Sequence, residues 1–250
     1  MKDNVKTIKK FYIFLGIIVF TIFTLIFLYT LGFRLVSGFK IGRVGQISVT
    51  APLNNTWIYI DNSKKITTST DNQTVEVSLS PKTHTIIVAR ESYYPWKKDL
   101  EITSNSKIKL DPLFVSQNPS GNIIPKEDPE YLTILNSIKN NTTPTKNNPK
   151  KSTALDAIVW TEGKKIFVKH GEKETEVITL QTDVKNVGFY KDRNDAIVFS
   201  TSLGVYVIET DKKGGQNFMP IYKGQDPYFV QTDPNYIYVQ DDAALMQVLI

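Results

Sequence analysis

His84 and His170 are the two histidines of this 250-residue chain, and it has no cysteine. Thiol nucleophiles, disulfides and cysteine-ligated zinc are therefore excluded. Neither histidine has triad or metal-ligand spacing around it. His84 falls in a turn leading into an expected strand, and His170 precedes Gly171 in an expected hairpin. The carboxylates Asp192 and Asp195, and Asp241 and Asp242, form close pairs on expected turns, where a calcium ion or plain solvent could meet them. A glycosidase needs two carboxylates facing across a cleft, and spacing alone places no such pair here. The glycines of "SLG" and "KKGG" lack the strand–loop–helix setting of a phosphate loop. We accordingly assign no catalytic, cofactor-binding or metal-binding residue, and expect no cofactor. What remains is "ESYYPWKKDLEI", where Tyr93, Tyr94 and Trp96 crowd around Pro95. Such rings can form a contact surface for a sugar or a peptide. They can equally cap a small core, because each buries ~150–250 Å².

The elements that would position these residues begin with a membrane segment. Residues 11–33, opening at Phe11 and passing Leu31, carry no charge until Arg34. A helix of about 20 apolar residues spans the hydrocarbon core. Tyr12 and Tyr29 sit near its two ends, where aromatic belts form. The apolar core of a cleaved signal peptide is shorter, ~7–15 residues. "VSG" at 36–38 also imitates a cleavage site poorly. The expectation is an uncleaved signal-anchor. Residues 1–10 form a short cytoplasmic tail holding Lys2, Lys6, Lys9 and Lys10, and the bulk of the chain is extracytoplasmic.

From Gly45 the apolar pattern has period 2. Ile47 and Val49 alternate with polar neighbours, as do Val75, Val77 and Leu79, and Leu100 and Ile102. Short runs of this kind, separated by Asn, Ser, Pro and Lys turns, indicate a small antiparallel β-sandwich over residues 45–115.

The series "GQISVTAPLNNTWIYIDNSKKI", "VEVSLSPKTHTIIVARESYYPWKKDLEI" resembles a PEGA domain. The family's features fall at residues 49–52, 58–61, 79–88 and 92–96. "PLNN" replaces the name-giving tetrapeptide, and Asn62 and Ser92 stand where the family prefers glycine. Lys82 and Thr83 stand in place of its Pro-Gly turn. The resemblance implies a small surface module of a bacterial envelope with no catalytic residues. It also implies that residues 93–96 form the bend between two strands, although a contact platform stays open.

Residues 116–153 are rich in Asn, Pro, Thr and Lys and are expected to be a linker, flexible from 140 onwards. One helix is expected near 129–139, with Asp128 as cap, Pro129 in its first turn, and Tyr131, Ile134, Leu135 and Ile138 on one face. Residues 154–250 repeat. "DAIVW" begins at Asp156, "DAIVF" at Asp195 and "NYIYV" at Asn235. A period near 40 built of short strands is the spacing of β-propeller blades. The expectation is about two and a half blade-like units. They would form an open stack with a sheet edge at 245–250, pair that edge with another chain in self-association, or be a truncated propeller.

The fold class expected is thus mainly β: one N-terminal transmembrane helix, a PEGA-like β-sandwich and partial β-propeller-like repeats. A scattered net charge of +5 gives no nucleic-acid footprint. The expected partners are the lipid bilayer and an envelope protein or glycan. The expected role is non-enzymatic contact at the cell surface. The alternatives are an envelope sensor or accessory subunit of a membrane complex, and after them a hydrolase.

Overall fold

The computed structural model describes residues 2–36, 40–69, 73–152, 157–191 and 193–250, with backbone alone at 2–11, 34–36, 40–41 and 64–65. The chain is mainly β, with one N-terminal apolar helix. It divides into two compact units, Met1–Thr50 with Thr74–His84 and Glu101–Asp111, and Ala51–Gln73 with Thr85–Leu100 and Pro112–Ile250.

In the first unit, α1 (Lys2–Thr30) contains a stretch, Tyr12–Thr30, long and apolar enough to cross a membrane. Its apolar side chains are exposed, Phe20 and Phe23 most of all. The hydroxyls of Thr21 and Thr24 donate to the carbonyls of Ile17 and Phe20 at 2.8 and 2.9 Å, so neither polar group faces hydrocarbon unsatisfied. Gly32, at φ +83°, ends the helix in the left-handed conformation that glycine adopts without strain. The hairpin β1 (Phe33–Val36) and β2 (Lys40–Arg43) follows.

β3 (Gly45–Thr50) is the centre of a three-stranded sheet. Its neighbours come from later in the chain, after β4 (Trp57–Ile60) and β5 (Lys64–Thr67). They are β6 (Thr74–Leu79), antiparallel, and, after β7 (Lys82–Ala89) and β8 (Trp96–Ile102), β9 (Lys107–Leu110). The β3–β9 pair is parallel, with Ile47 opposite Ile108, where the sequence pattern suggested antiparallel strands throughout. A Cβ on Gly45 would lie 2.5 Å from Ile102 Cγ2 and 2.7 Å from the Thr103 carbonyl, so only glycine fits there.

In the second unit, the sheet order is β5–β4–β7–β8. Asp61 and Asn62 both take positive φ in the β4–β5 turn, which small polar side chains tolerate. Lys82 and Thr83 open β7.

Three further four-stranded antiparallel sheets carry the repeats. Two elements precede them: β10 (Gly121–Ile123) and α2 (Tyr131–Asn140). The first sheet runs through β11 (Lys150–Lys151), β12 (Ala157–Glu162), β13 (Lys165–His170) and β14 (Lys173–Thr179). The second runs through β15 (Asn186–Phe189), β16 (Ala196–Thr201), β17 (Gly204–Glu209) and β18 (Phe218–Lys223). The third has β19 (Tyr228–Asp233), β20 (Tyr236–Asp241) and β21 (Ala244–Leu249), and β10 is its fourth strand. Gly121 pairs with Val248 and Ile123 with Met246. Val159, Ile166 and Val168 of the first sheet pack with Val187, Ile197 and Phe199 of the second in one buried cluster.

Three expectations are corrected. The third unit is a complete four-stranded sheet and not a half, because the chain before the repeats supplies β10. The strand at 244–249, expected at a sheet edge, is therefore interior, and β10 is the edge. The segment from 140 onwards is packed. Asn141 Nδ2 donates to the Phe229 carbonyl at 3.0 Å, the Thr161 amide donates to the Pro144 carbonyl at 2.9 Å, and β11 pairs with β12. Residues 153–156, including the Asp156 that opens the first repeat, lie outside the described residues.

α2 starts at Tyr131, two residues later than the Pro129 expected. Asp128 Oδ1 accepts the Glu130 amide at 2.8 Å in a turn outside the helix, and Glu130 at the N-cap makes no side-chain capping bond. Ile134 and Ile138 pack on Val230, Tyr238 and Leu245. Leu135 is only half-buried.

Candidate functional site

The three aromatic residues of "ESYYPWKKDLEI" have separate fates within the second unit. Ser92, at φ +66°, takes the left-handed turn that follows β7, and Tyr93 forms a bridge with Ser116. β8 then starts at Trp96, whose burial alternates with that of the exposed Lys97 and the buried Lys98. Trp96 is 3 % exposed, which removes it from any contact surface. Its indole N–H donates to Glu209 Oε1 at 2.6 Å.

Glu209 also meets Lys98, Nζ to Oε2 at 3.0 Å, both side chains being less than a tenth exposed. The three ammonium donors are matched: Glu209, the Asp211 carbonyl at 3.1 Å and the Gly215 carbonyl at 2.5 Å. Asn217 donates its amide and Nδ2 to Glu209 Oε2 at 3.2 and 2.9 Å, and its Oδ1 accepts the Lys97 amide at 3.0 Å. The Asp99 amide reaches the Gly214 carbonyl at 2.6 Å. A buried ion pair whose ammonium protons and two carboxylate oxygens are all engaged is a structural fixture. It binds β8 to the β17–β18 loop.

Tyr93 and Tyr94 are half-buried. The Tyr94 amide donates to the Val115 carbonyl at 2.9 Å. Tyr93 lines a groove of about 350 Å³ with Pro52, Leu53, Phe114, Pro119 and Lys191. Its ring is already engaged: Phe114 meets it edge-on at 5.6 Å, and the Arg90 guanidinium lies 5.4 Å from its centroid. A ring so engaged suits apolar packing better than stacking on a sugar. Lys191 stands at φ +55°, a conformation uncommon for a residue with a Cβ. Burial, and after it the charge of Arg193, hold its amine below the usual lysine range.

The other residues singled out in the sequence do not converge. The His84 ring is buried and bonds the Ser80 carbonyl at 2.9 Å, and His170 is half-buried at the end of β13. Asp195 forms a two-pronged pair with Arg193 at 2.7 Å each, and its proposed companion Asp192 lies outside the described residues. Asp241 Oδ2 accepts the Tyr222 hydroxyl at 2.9 Å and the Gln225 amide at 3.1 Å. Desolvation and then that hydrogen bond push the Tyr222 phenol up to about 12. Asp242 is an exposed turn residue. Among the described residues no three His, Asp or Glu side chains gather as metal ligands. Phe114, Leu53 and Lys191 were not singled out from sequence. No periodicity distinguishes them, since they come together through three separate loops.

No family model matches the sequence, and no curated protein matches it. Among solved structures, one from Bacteroides fragilis, described as a membrane-associated protein of unknown function, is similar at 11 % identity and a TM-score of 0.24. The match covers 83 % of this chain and 98 % of that one. At that score the likeness carries no argument.

Proposed function

We propose that this chain is a non-enzymatic, membrane-anchored module of a cell envelope. In this reading the groove beside Tyr93 receives an apolar segment of another envelope protein. The observation that carries the proposal is the groove itself, apolar along Pro52, Leu53, Tyr93 and Phe114. Its volume lies in the range of small binding clefts. The apolar helix supports the anchor, and an outward-facing bulk is part of the proposal. The left-handed turns at Asn62 and Ser92 support the PEGA-like reading of residues 45–115, because small polar residues there adopt the backbone that glycine gives the family. The three four-stranded sheets support blade-like repeats.

The test has two arms. Cysteine at Glu172, a fully exposed hairpin residue, should react with a membrane-impermeant maleimide in intact cells. Labelling only after lysis overturns the outward orientation. A photo-crosslinker at Leu53 should then capture a defined protein segment. A synthetic copy of that segment should bind the full chain at least about tenfold more weakly when Tyr93→Ala or Phe114→Ala is introduced. Undiminished binding by both variants, or groove binding only to cell-wall glycan, overturns the reading.

A further inference from the structure

A second cavity in the same unit lies among the edge strands β11, β15 and β19 of the three repeat sheets, at about 130 Å³. β15 adjoins both β12 and β19, and the first strand of each repeat sheet contributes lining residues. We infer that this well is a binding site for a small phosphate-type oxyanion, held by Lys150 and Lys191 with Gln231 and Thr232.

The chemistry of the lining is one-sided. Lys150 makes one side-chain hydrogen bond, to Asn141 Oδ1 at 3.4 Å, and has no carboxylate partner among the described residues. Its side chain lies across Gly188, where a Cβ would stand 3.1 Å from Nζ. The missing side chain at 188 makes room for the amine inside the well. Burial holds the Lys150 amine below the usual lysine range, the expected result of desolvating a cation that lacks a counter-ion. Lys191 enters from the loop after β15 and likewise has no ion pair among the described residues. Gln231 Oε1 is taken by the Lys191 amide at 3.2 Å, which leaves its NH₂ as a donor. Thr232 adds a hydroxyl. Lys151 is exposed at the rim. The single carboxylate is that of Asp233, whose Oδ1 accepts the Asn235 amide at 2.7 Å.

Two amines, an amide and a hydroxyl thus line a space comparable to one that holds a benzene-sized molecule. It is too small for a sugar or a nucleotide. Charge-assisted hydrogen bonds from such donors are about twice as strong as neutral ones, and a tetrahedral oxyanion offers enough acceptors to use them all. Gly188, Phe189, Val198 and Phe229 supply apolar walls that limit screening.

The test is equilibrium dialysis of radiolabelled orthophosphate against the full chain in phosphatidylcholine nanodiscs at fixed ionic strength. Saturable binding at one site is expected, displaced by sulfate but not by chloride. Lys150→Met should weaken it by at least about tenfold, corresponding to about 1.4 kcal/mol. Gly188→Ala, which keeps every charge and displaces the Lys150 amine, should weaken it with circular dichroism unchanged. Tyr93→Ala should leave it intact, so loss of the groove reading and loss of this one are separable. Glycerol phosphate competing as well as orthophosphate assigns the site to a phosphoryl group on a larger solute, whereas failure to compete assigns it to the free ion. Binding that does not saturate, that chloride displaces equally, or that survives both substitutions overturns the inference.

Discussion

The Lys98 ammonium sits 3.0 Å from the Glu209 carboxylate, and the Trp96 indole holds the other oxygen of that carboxylate at 2.6 Å. Two alternate residues of β8 thus share one acid at the end of β17. Removing one partner leaves a buried charge uncompensated, at a cost of about 3–5 kcal/mol. Glu209→Ala and Lys98→Ala should each lower the urea midpoint accordingly with an unchanged slope. Trp96→Phe, which keeps the ring but orphans one carboxylate oxygen, should cost about 1–3 kcal/mol. Substitutions that leave the midpoint within error would show that the pair is not closed in solution.

The pairing of β10 with β21 leads to a prediction about association. A Cβ on Gly121 would lie 2.9 Å from the Gln247 carbonyl, against backbone that cannot move aside. Gly121→Val should therefore strip β10 from β21 and bare a strand edge, which is a template for pairing with another chain. Sedimentation of the variant should show concentration-dependent association beyond that of the parent chain. A variant that stays monomeric at the same concentrations would mean that something other than β10 guards the edge.

Tyr222 carries a pH dependence. Its folded value is raised from the ordinary 10 to about 12 by desolvation and then by the hydrogen bond to Asp241. The folded state therefore favours the neutral phenol. The associated stability is fully present below pH 10 and is lost as pH rises from 10 through about 12. Chemical denaturation across that window should show a fall in midpoint that is smaller in Tyr222→Phe. An identical fall in the two proteins would assign the alkaline loss to other tyrosines.

Much of the architecture was legible in the sequence because it follows from local chemistry. The uncharged run from Phe11 past Leu31 is long and apolar enough to cross a membrane, and a helix is the conformation that would satisfy its backbone in hydrocarbon. Alternation at Ile47, Val49, Val77 and Leu79 yields strands wherever one sheet face is buried. The repeat of "DAIV" marks β12 and β16. Asp61 and Asn62 read as a turn because they tolerate positive φ. The candidate sites were not legible in the same way. Tyr93, Tyr94 and Trp96 look alike in sequence, yet Trp96 faces Glu209 while Tyr93 faces a groove. That choice depends on a partner far along the chain. Lys150 reads as one more solvated lysine of a polar stretch, and only the approach of three edge strands over Gly188 encloses it. β10 has three residues and no apolar alternation, so nothing local marks it as a strand. Its hydrogen-bonding groups find their partners on β21, and that long-range pairing is what tertiary structure alone decided.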